Sequence, residues 1–116
     1  MRFWLIISLM LSVWVSVTTA QDAPITNPDT CLAEGAYDPN VDYFPEKVTL
    51  EYTTGFSVDY FNAYKVVTVT TPWNNADADD VVQYLLVQCG APIPTGYDTA
   101  QVVSIPVTSA VSMSTT

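Results

Sequence analysis

The chain contains no histidine, only three basic residues and only four glycines among its 116 residues. Without histidine it has no imidazole to act as a general base, a triad member or a metal ligand. The shortage of lysine and arginine argues against a nucleic-acid partner, because phosphates need compensating positive charge. Twelve carboxylate residues set the net charge at −9, and an acidic surface of this kind favours solubility.

The N-terminus has the three parts of a secretory signal peptide. Arg2 precedes an uncharged run over residues 3–17, and small residues follow up to Ala20. We therefore predict a signal helix at residues 1–20, cleavage after Ala20, and export to the periplasm. An uncleaved anchor is the alternative, although a spanning helix needs roughly 20 apolar residues.

The two cysteines of the chain, Cys31 and Cys89, are predicted to form a disulfide, because exported proteins meet an oxidising environment. A catalytic thiol is the alternative, but it would have no histidine to activate it. Cys31 lies in residues 21–46, which are rich in Pro, Asp and Asn and predict an extended leader.

Residues 47–116 form a β-rich part with five to six candidate strands. The candidates lie at residues 47–52, 56–60, 65–71, 81–89, 101–107 and 111–113. The first two alternate apolar and polar side chains, which is typical of half-buried strands. The run at 81–89 is almost continuously apolar and predicts a strand buried on both faces. The expected fold is mainly β, a meander of hairpins.

Candidate chemistry is sparse, and each group has a purely structural alternative. Asp77, Asp79 and Asp80 hint at a calcium loop, but Val82 and Gln88 stand where that loop needs glycine and glutamate, which favours a solvated turn. Two alternatives remain for Glu46, Glu51 and Asp59. Two of these carboxylates form a catalytic pair for sugar hydrolysis, or all three are surface side chains without a catalytic role. The predicted loops also contain four aromatic residues, for which there are two alternatives: they stack on a ligand, or they pack beneath the loops. These residues are Tyr37, Tyr43, Trp73 and Tyr97. No cofactor is indicated.

Several stretches, read in order, resemble exported bacterial ABC-transporter substrate-binding proteins of the iron-siderophore and cobalamin-binding type. They are YFPEKVTLEY at 43–52, GFSVDY at 55–60, YKVVTV at 64–69 with Pro72-Trp73, YLLVQCGAPIP at 84–94, QVVSIPV at 101–107 and SMSTT at 112–116. The similarity spans about residues 41–116.

The resemblance implies a two-lobe α/β periplasmic-binding fold, of which this chain is the N-terminal fragment, ending where a full-length member continues. Residues 111–113 would be the first core strand of the N-terminal lobe. Ser114, Thr115 and Thr116 would open the loop near the ligand cleft and contact ligand. The implied partners are a small-molecule ligand, such as a metal chelate, and an ABC permease.

Two other functions remain open from the residues alone. A small secreted β-domain would act as a non-catalytic interaction module, using its acidic surface and loop aromatics. A secreted hydrolase is the third reading, and it lacks a recognisable catalytic set.

Overall fold

The computed structural model describes residues 22–113, and the predicted signal helix at 1–20 lies outside that range. The fold is mainly β, as predicted. One four-stranded mixed sheet contains every strand of the described range, and the strands are β1 (Phe56–Tyr60), β2 (Tyr64–Val69), β3 (Val82–Gln88) and β4 (Gln101–Ile105). No helix in residues 22–113 is long and apolar enough to cross a membrane.

The strands lie side by side in sequence order. β1 and β2 pair antiparallel, as do β2 and β3, whereas β4 pairs parallel to β3. A tight turn closes the first hairpin, where the Phe61 N–H donates to the Tyr64 carbonyl at 2.9 Å. Because β4 runs parallel to β3, a longer connection over residues 89–100 must return the chain to the other end of the sheet.

The candidate strand at residues 47–52 was wrong. Val48 and Tyr52 are 65% and 96% exposed, so the alternation there faces solvent on both sides. The Val48 N–H donates to the Tyr60 hydroxyl at 3.1 Å, so a side chain takes the place of a neighbouring strand. Alternation predicts a strand only where a partner edge and a buried face are available.

Residues 111–113 are also not a strand in the structure. Val111 and Met113 are 89% and 91% exposed, and nothing pairs with this segment among the described residues. The described part of the chain therefore has four strands rather than five or six. Of the four correct predictions, 56–60 matches the observed strand, whereas 65–71, 81–89 and 101–107 differ from the observed bounds by one or two residues at one or both ends.

The core lies mainly on one face of the sheet. Val66, Leu85 and Val87 are buried there, and the residues packed against them are Tyr64, Ala91, Tyr97 and Ala100. A second cluster joins Val41 and Tyr43 to Ala63, and Ala91 contacts both clusters. The expectation that β3 is buried on both faces holds only near its end, because Val82, Gln83 and Tyr84 are only partly buried.

Residues 22–46 have no helix or strand, yet they contribute buried side chains to this core. Tyr43 is 2% exposed, and its hydroxyl accepts from the Asp38 N–H at 2.9 Å and donates to the Ala36 carbonyl at 3.4 Å. Asn27 binds Glu46 through both backbone and side chain, with three hydrogen bonds of 2.9–3.1 Å. These bonds hold an irregular segment in place without a sheet ladder.

Candidate functional site

The second face of the sheet is largely apolar and mostly half-buried, and we call it the open face. The strand register places three polar residues on this side, Lys65, Gln101 and the buried Gln88, together with ten apolar ones: Phe56, Val58, Tyr60, Val67, Val69, Val82, Tyr84, Leu86, Val103 and Ile105. None of these ten is fully buried, and Phe56 is 39% exposed. A sheet face of this composition normally packs against another layer, so the open face is a candidate contact surface.

The opposite side, which we call the packed face, has a different composition. Its centre is Val66, Leu85 and Val87, and polar side chains stand around that centre. Those polar side chains are Ser57, Asp59, Thr68, Gln83 and Ser104. The packed face thus has a buried centre and a mostly polar rim, in which Val102 is the one exposed apolar strand residue.

An aromatic cleft of about 500 Å³ lies at the turn between β1 and β2. Its walls are Tyr37, Pro39, Tyr60, Phe61, Asn62, Ala63, Tyr64, Pro92, Ile93 and Pro94. The Phe61 and Tyr64 rings stack with centroids 4.5 Å apart, and Tyr97 meets Tyr64 edge-on at 5.9 Å. Phe61 and Ile93 are 42% and 62% exposed, so apolar surface remains available for a ligand or partner.

The Tyr64 hydroxyl remains a neutral phenol through the physiological range. Burial, together with a hydrogen bond with Tyr97, raises the pKa of Tyr64 to about 12. A neutral phenol both donates and accepts hydrogen bonds, which suits the wall of a binding cleft better than nucleophilic catalysis.

The two lysines of the described range meet at one aromatic ring. The Lys47 and Lys65 ammonium groups lie 5.8 Å and 5.7 Å from the centroid of the Tyr60 ring. Lys47 also forms an ion pair with Asp42 at 2.6 Å, and this hydrogen bond lowers the pKa of Asp42. Both positive charges thus lie at the end of the open face next to the leader.

The predicted disulfide is present between Cys31 and Cys89, whose Cα atoms are 4.8 Å apart. It ties the leader to the residue after β3, and the Leu32 N–H donates to the Cys89 carbonyl at 2.9 Å beside it. Gly90 follows with φ of +90°, and a Cβ there would lie 2.8 Å from the Leu32 carbonyl oxygen. Only glycine therefore fits this crossing without movement of the leader.

The predicted acidic groups do not converge. Asp77 and Asp80 close a turn on themselves, since the Asp77 N–H donates to the Asp80 carboxylate at 2.8 Å. No cluster of three or more potential metal ligands occurs among residues 22–113. Glu46 accepts from the Asn27 backbone N–H, while Glu51 and Asp59 are exposed.

The loop aromatics divide between packing and exposure. Tyr43 is buried, Tyr37 stacks on it with centroids 6.3 Å apart, and Tyr97 packs on the sheet. Trp73 is 55% exposed. The predicted ligand contacts Ser114, Thr115 and Thr116 lie outside the described residues.

Sequence reasoning missed the open face, although the signal was present. The continuous apolar run in β3 predicts burial on both sides of the sheet, so a second covering layer follows from it.

Comparison of the chain with protein-family models, with curated proteins and with solved structures gave no match.

Proposed function

We propose that this chain belongs to the exported solute-binding component of an ABC importer for ferric-siderophore or corrinoid-type ligands. The open face is the observation that carries the proposal. Ten apolar strand residues stand half-buried on one side of the sheet, and a layer of protein is needed to cover them. The helices of a two-lobe α/β periplasmic-binding fold would supply such a layer.

The resemblance over residues 41–116 supports the same function independently of the open face. In that fold the segment after β4 leads into the first lobe. Val107, Val111 and Met113 are strongly exposed, which fits a segment that packs against further protein. Ser114, Thr115 and Thr116 would then stand near the ligand cleft, a metal chelate would be the ligand, and a permease would receive it.

Thermal-shift titration tests the ligand class. The complete product of the gene that encodes this chain is titrated with a panel of ferric siderophores and corrinoids. A ligand at 100 times its Kd adds about 2.7 kcal/mol to stability, and Tm rises accordingly. Iron-free siderophores serve as the matched control, and no shift across the panel contradicts the proposal.

A non-catalytic interaction module is the second candidate, and the aromatic cleft favours it. Exposed Phe61 and Ile93 beside stacked rings are the kind of side chains that anchor partner contacts. In this case the open face is free for a partner rather than covered by the same chain.

Val67→Lys distinguishes the two candidates in the complete gene product, because Val67 is an open-face residue in a central strand. If the same protein covers the open face, the buried ammonium lowers stability strongly. If the face is free, Tm stays near that of the parent. Thr68→Lys, on the packed side of the same strand, controls for effects on strand propensity.

A further inference from the structure

The outer edge of β4 has no neighbouring strand among residues 22–113, because β4 is the last strand of the sheet. On the inner side, the Cys89 N–H donates to the Ile105 carbonyl at 2.8 Å, so the backbone groups of Ile105 face β3. Successive residues of a strand direct their N–H and carbonyl groups to opposite edges. The backbone groups of Val102 and Ser104 therefore point away from the sheet, at its free edge.

These outward groups are free in the described part of the chain. Val102 is 48% exposed, Ser104 is also exposed, and neither makes a backbone hydrogen bond outside the pairing with β3. Proteins usually protect an edge strand with a charged residue, a proline or a bulge. Gln101–Ile105 contains no charge and no proline, and its register with β3 is continuous. The edge is thus open to pairing with another strand.

The charge distribution indicates which strand can approach this edge. Residues 81–116 contain a single charged side chain, Asp98, whereas the other eleven of the twelve carboxylates lie before residue 81. Most surfaces of a chain with net charge −9 repel another copy of the same chain. The edge of β4 lies in the nearly uncharged part, so a second copy approaches here with little like-charge repulsion.

The other edge strand of the sheet, β1, is protected. The Thr70 N–H donates to the Gly55 carbonyl at 2.9 Å, so Gly55 faces β2 and the Val58 backbone groups point outwards. β1 contains Asp59, and a charge within an edge strand discourages pairing. Two copies that met antiparallel through β1 would also bring their Asp59 carboxylates towards one another.

We propose that β4 pairs with β4 of a second copy, antiparallel about a two-fold axis at Val103, so that two four-stranded sheets form one sheet of eight strands. In this register Val102 of each copy lies opposite Ser104 of the other. The outward backbone groups of each opposed pair exchange two hydrogen bonds, which makes four across the interface.

The residues that flank the strand select this register over the alternatives. A shift by two residues in one direction places Pro106 opposite Val102, and proline has no N–H to donate. A shift by two in the other direction pairs Ser104 with Ala100, which lies outside β4. Shifts by one residue set outward backbone groups against inward ones and make no ladder.

The paired arrangement also covers exposed apolar surface. Val102 is the exposed apolar residue on the rim of the packed face, and the Val102 side chains of the two copies become diagonal neighbours. The two open faces become continuous across the opposed Val103 residues. The proposal concerns the edge of the sheet rather than its open face, so it does not rest on the proposed transport function.

Cysteine cross-linking of the oxidised chain tests the register. Val103→Cys places one thiol from each copy at the two-fold axis, where the opposed Cα atoms of a pair without hydrogen bonds are about 4.5 Å apart, within disulfide range. We expect mild oxidation to give a covalent dimer of Val103→Cys, and about tenfold less from Val58→Cys at the centre of β1. Non-reducing electrophoresis measures both yields, and peptide mass mapping checks that Cys31 and Cys89 stay paired. Equal yields, or no covalent dimer, would overturn the proposal.

Two proline variants test the backbone hydrogen bonds. Val102→Pro and Val58→Pro each remove an N–H that points away from the sheet, so neither removes a hydrogen bond within the sheet. Val102→Pro removes two of the four proposed bonds, and we expect the dimer dissociation constant, measured by sedimentation equilibrium, to rise about tenfold or more. Val58→Pro should leave this constant within about twofold of the parent value.

A parent chain that stays monomeric up to about 1 mM, or a dimer weakened equally by both variants, contradicts the proposal. A dimer unaffected by Val102→Pro also contradicts it, because association then occurs through another surface, such as the open face. If Val102→Pro does not fold, the Val103→Cys cross-link decides alone.

Discussion

The two faces of the sheet share four strands and differ in how they meet solvent. The packed face has a buried apolar centre with a mostly polar rim, whereas the open face has ten apolar residues across all four strands, none of them fully buried. Leu85 and Leu86 are neighbours in β3 and show the contrast directly, because Leu85 is 1% exposed and Leu86 is only partly buried.

The described residues cover the centre of the packed face themselves, whereas most of the open face lacks a covering layer of protein. The leader and the loop after β3 supply the cover of the packed face and its neighbouring cluster, through Tyr43, Ala91 and Tyr97. On the open face the leader covers only one end, where Pro28 and Phe44 lie beside Lys65 and Gln88, and the rest of that face has no cover from residues 22–113. A largely apolar sheet face exposed to water favours association, so a covering layer from the same protein or from a partner is the expected solution.

Of the changes considered, removal of the disulfide should lower the free energy of unfolding most, because this bond joins the leader to the sheet. We expect Cys31→Ser combined with Cys89→Ser to lower the free energy of unfolding by about 4 kcal/mol, given the 58-residue separation of the two cysteines. Urea denaturation of the parent and of the double variant measures this difference. A loss below about 1 kcal/mol would show that the leader is held mainly by its other contacts.

The paired substitutions Leu85→Ala and Leu86→Ala compare the two faces at adjacent positions. Leu85→Ala should cost about 2–5 kcal/mol, because it opens a cavity in the buried cluster. Leu86→Ala should cost less than about 1.5 kcal/mol in the 116-residue chain, since its side chain is already partly hydrated. Urea denaturation of both variants gives the values, and equal losses would contradict the distinction between the faces.

A smaller effect should appear at alkaline pH, through Tyr64 beside the packed face. Its pKa is raised from the ordinary value of 10.0 to about 12, mainly by burial. The folded state therefore keeps this proton while the unfolded state releases it, so stability is full below pH 10 and falls as the pH rises towards 12. Tyr64→Phe should flatten this part of the pH profile, and Tyr52→Phe, at an exposed position, should not.

Local patterns, alternating at residues 56–60 and continuously apolar at 81–89, predicted four strands correctly because each of those segments also has a partner edge and at least one apolar face. The pattern at residues 47–52 is equally clear, yet Val48 bonds a tyrosine hydroxyl instead of a strand. Whether a segment finds a neighbouring strand depends on the tertiary structure, so a local sequence pattern does not predict it. The disulfide could be predicted because the chain has one possible pair.

The candidate sites were less accessible to sequence reasoning. Lys65 and Gln88 are 23 residues apart in sequence, and only the β2–β3 register places them on the same face of the sheet. The aromatic cleft likewise combines residues from the leader, the first hairpin and the loop after β3. The open face was implicit in the apolar run of β3, but the sequence does not show which of its two sides the leader covers.

The open face should be accessible to solvent in this chain and able to bind a covering layer of protein. Binding of the apolar dye ANS to the oxidised 116-residue chain tests it most directly, with Val67→Lys on the open face and Thr68→Lys on the other side as matched variants. We predict dye fluorescence with the parent and with Thr68→Lys, and loss of most of it with Val67→Lys, while all three unfold cooperatively. A natively folded parent that binds no dye, or a Val67→Lys chain that is unfolded, would contradict the account.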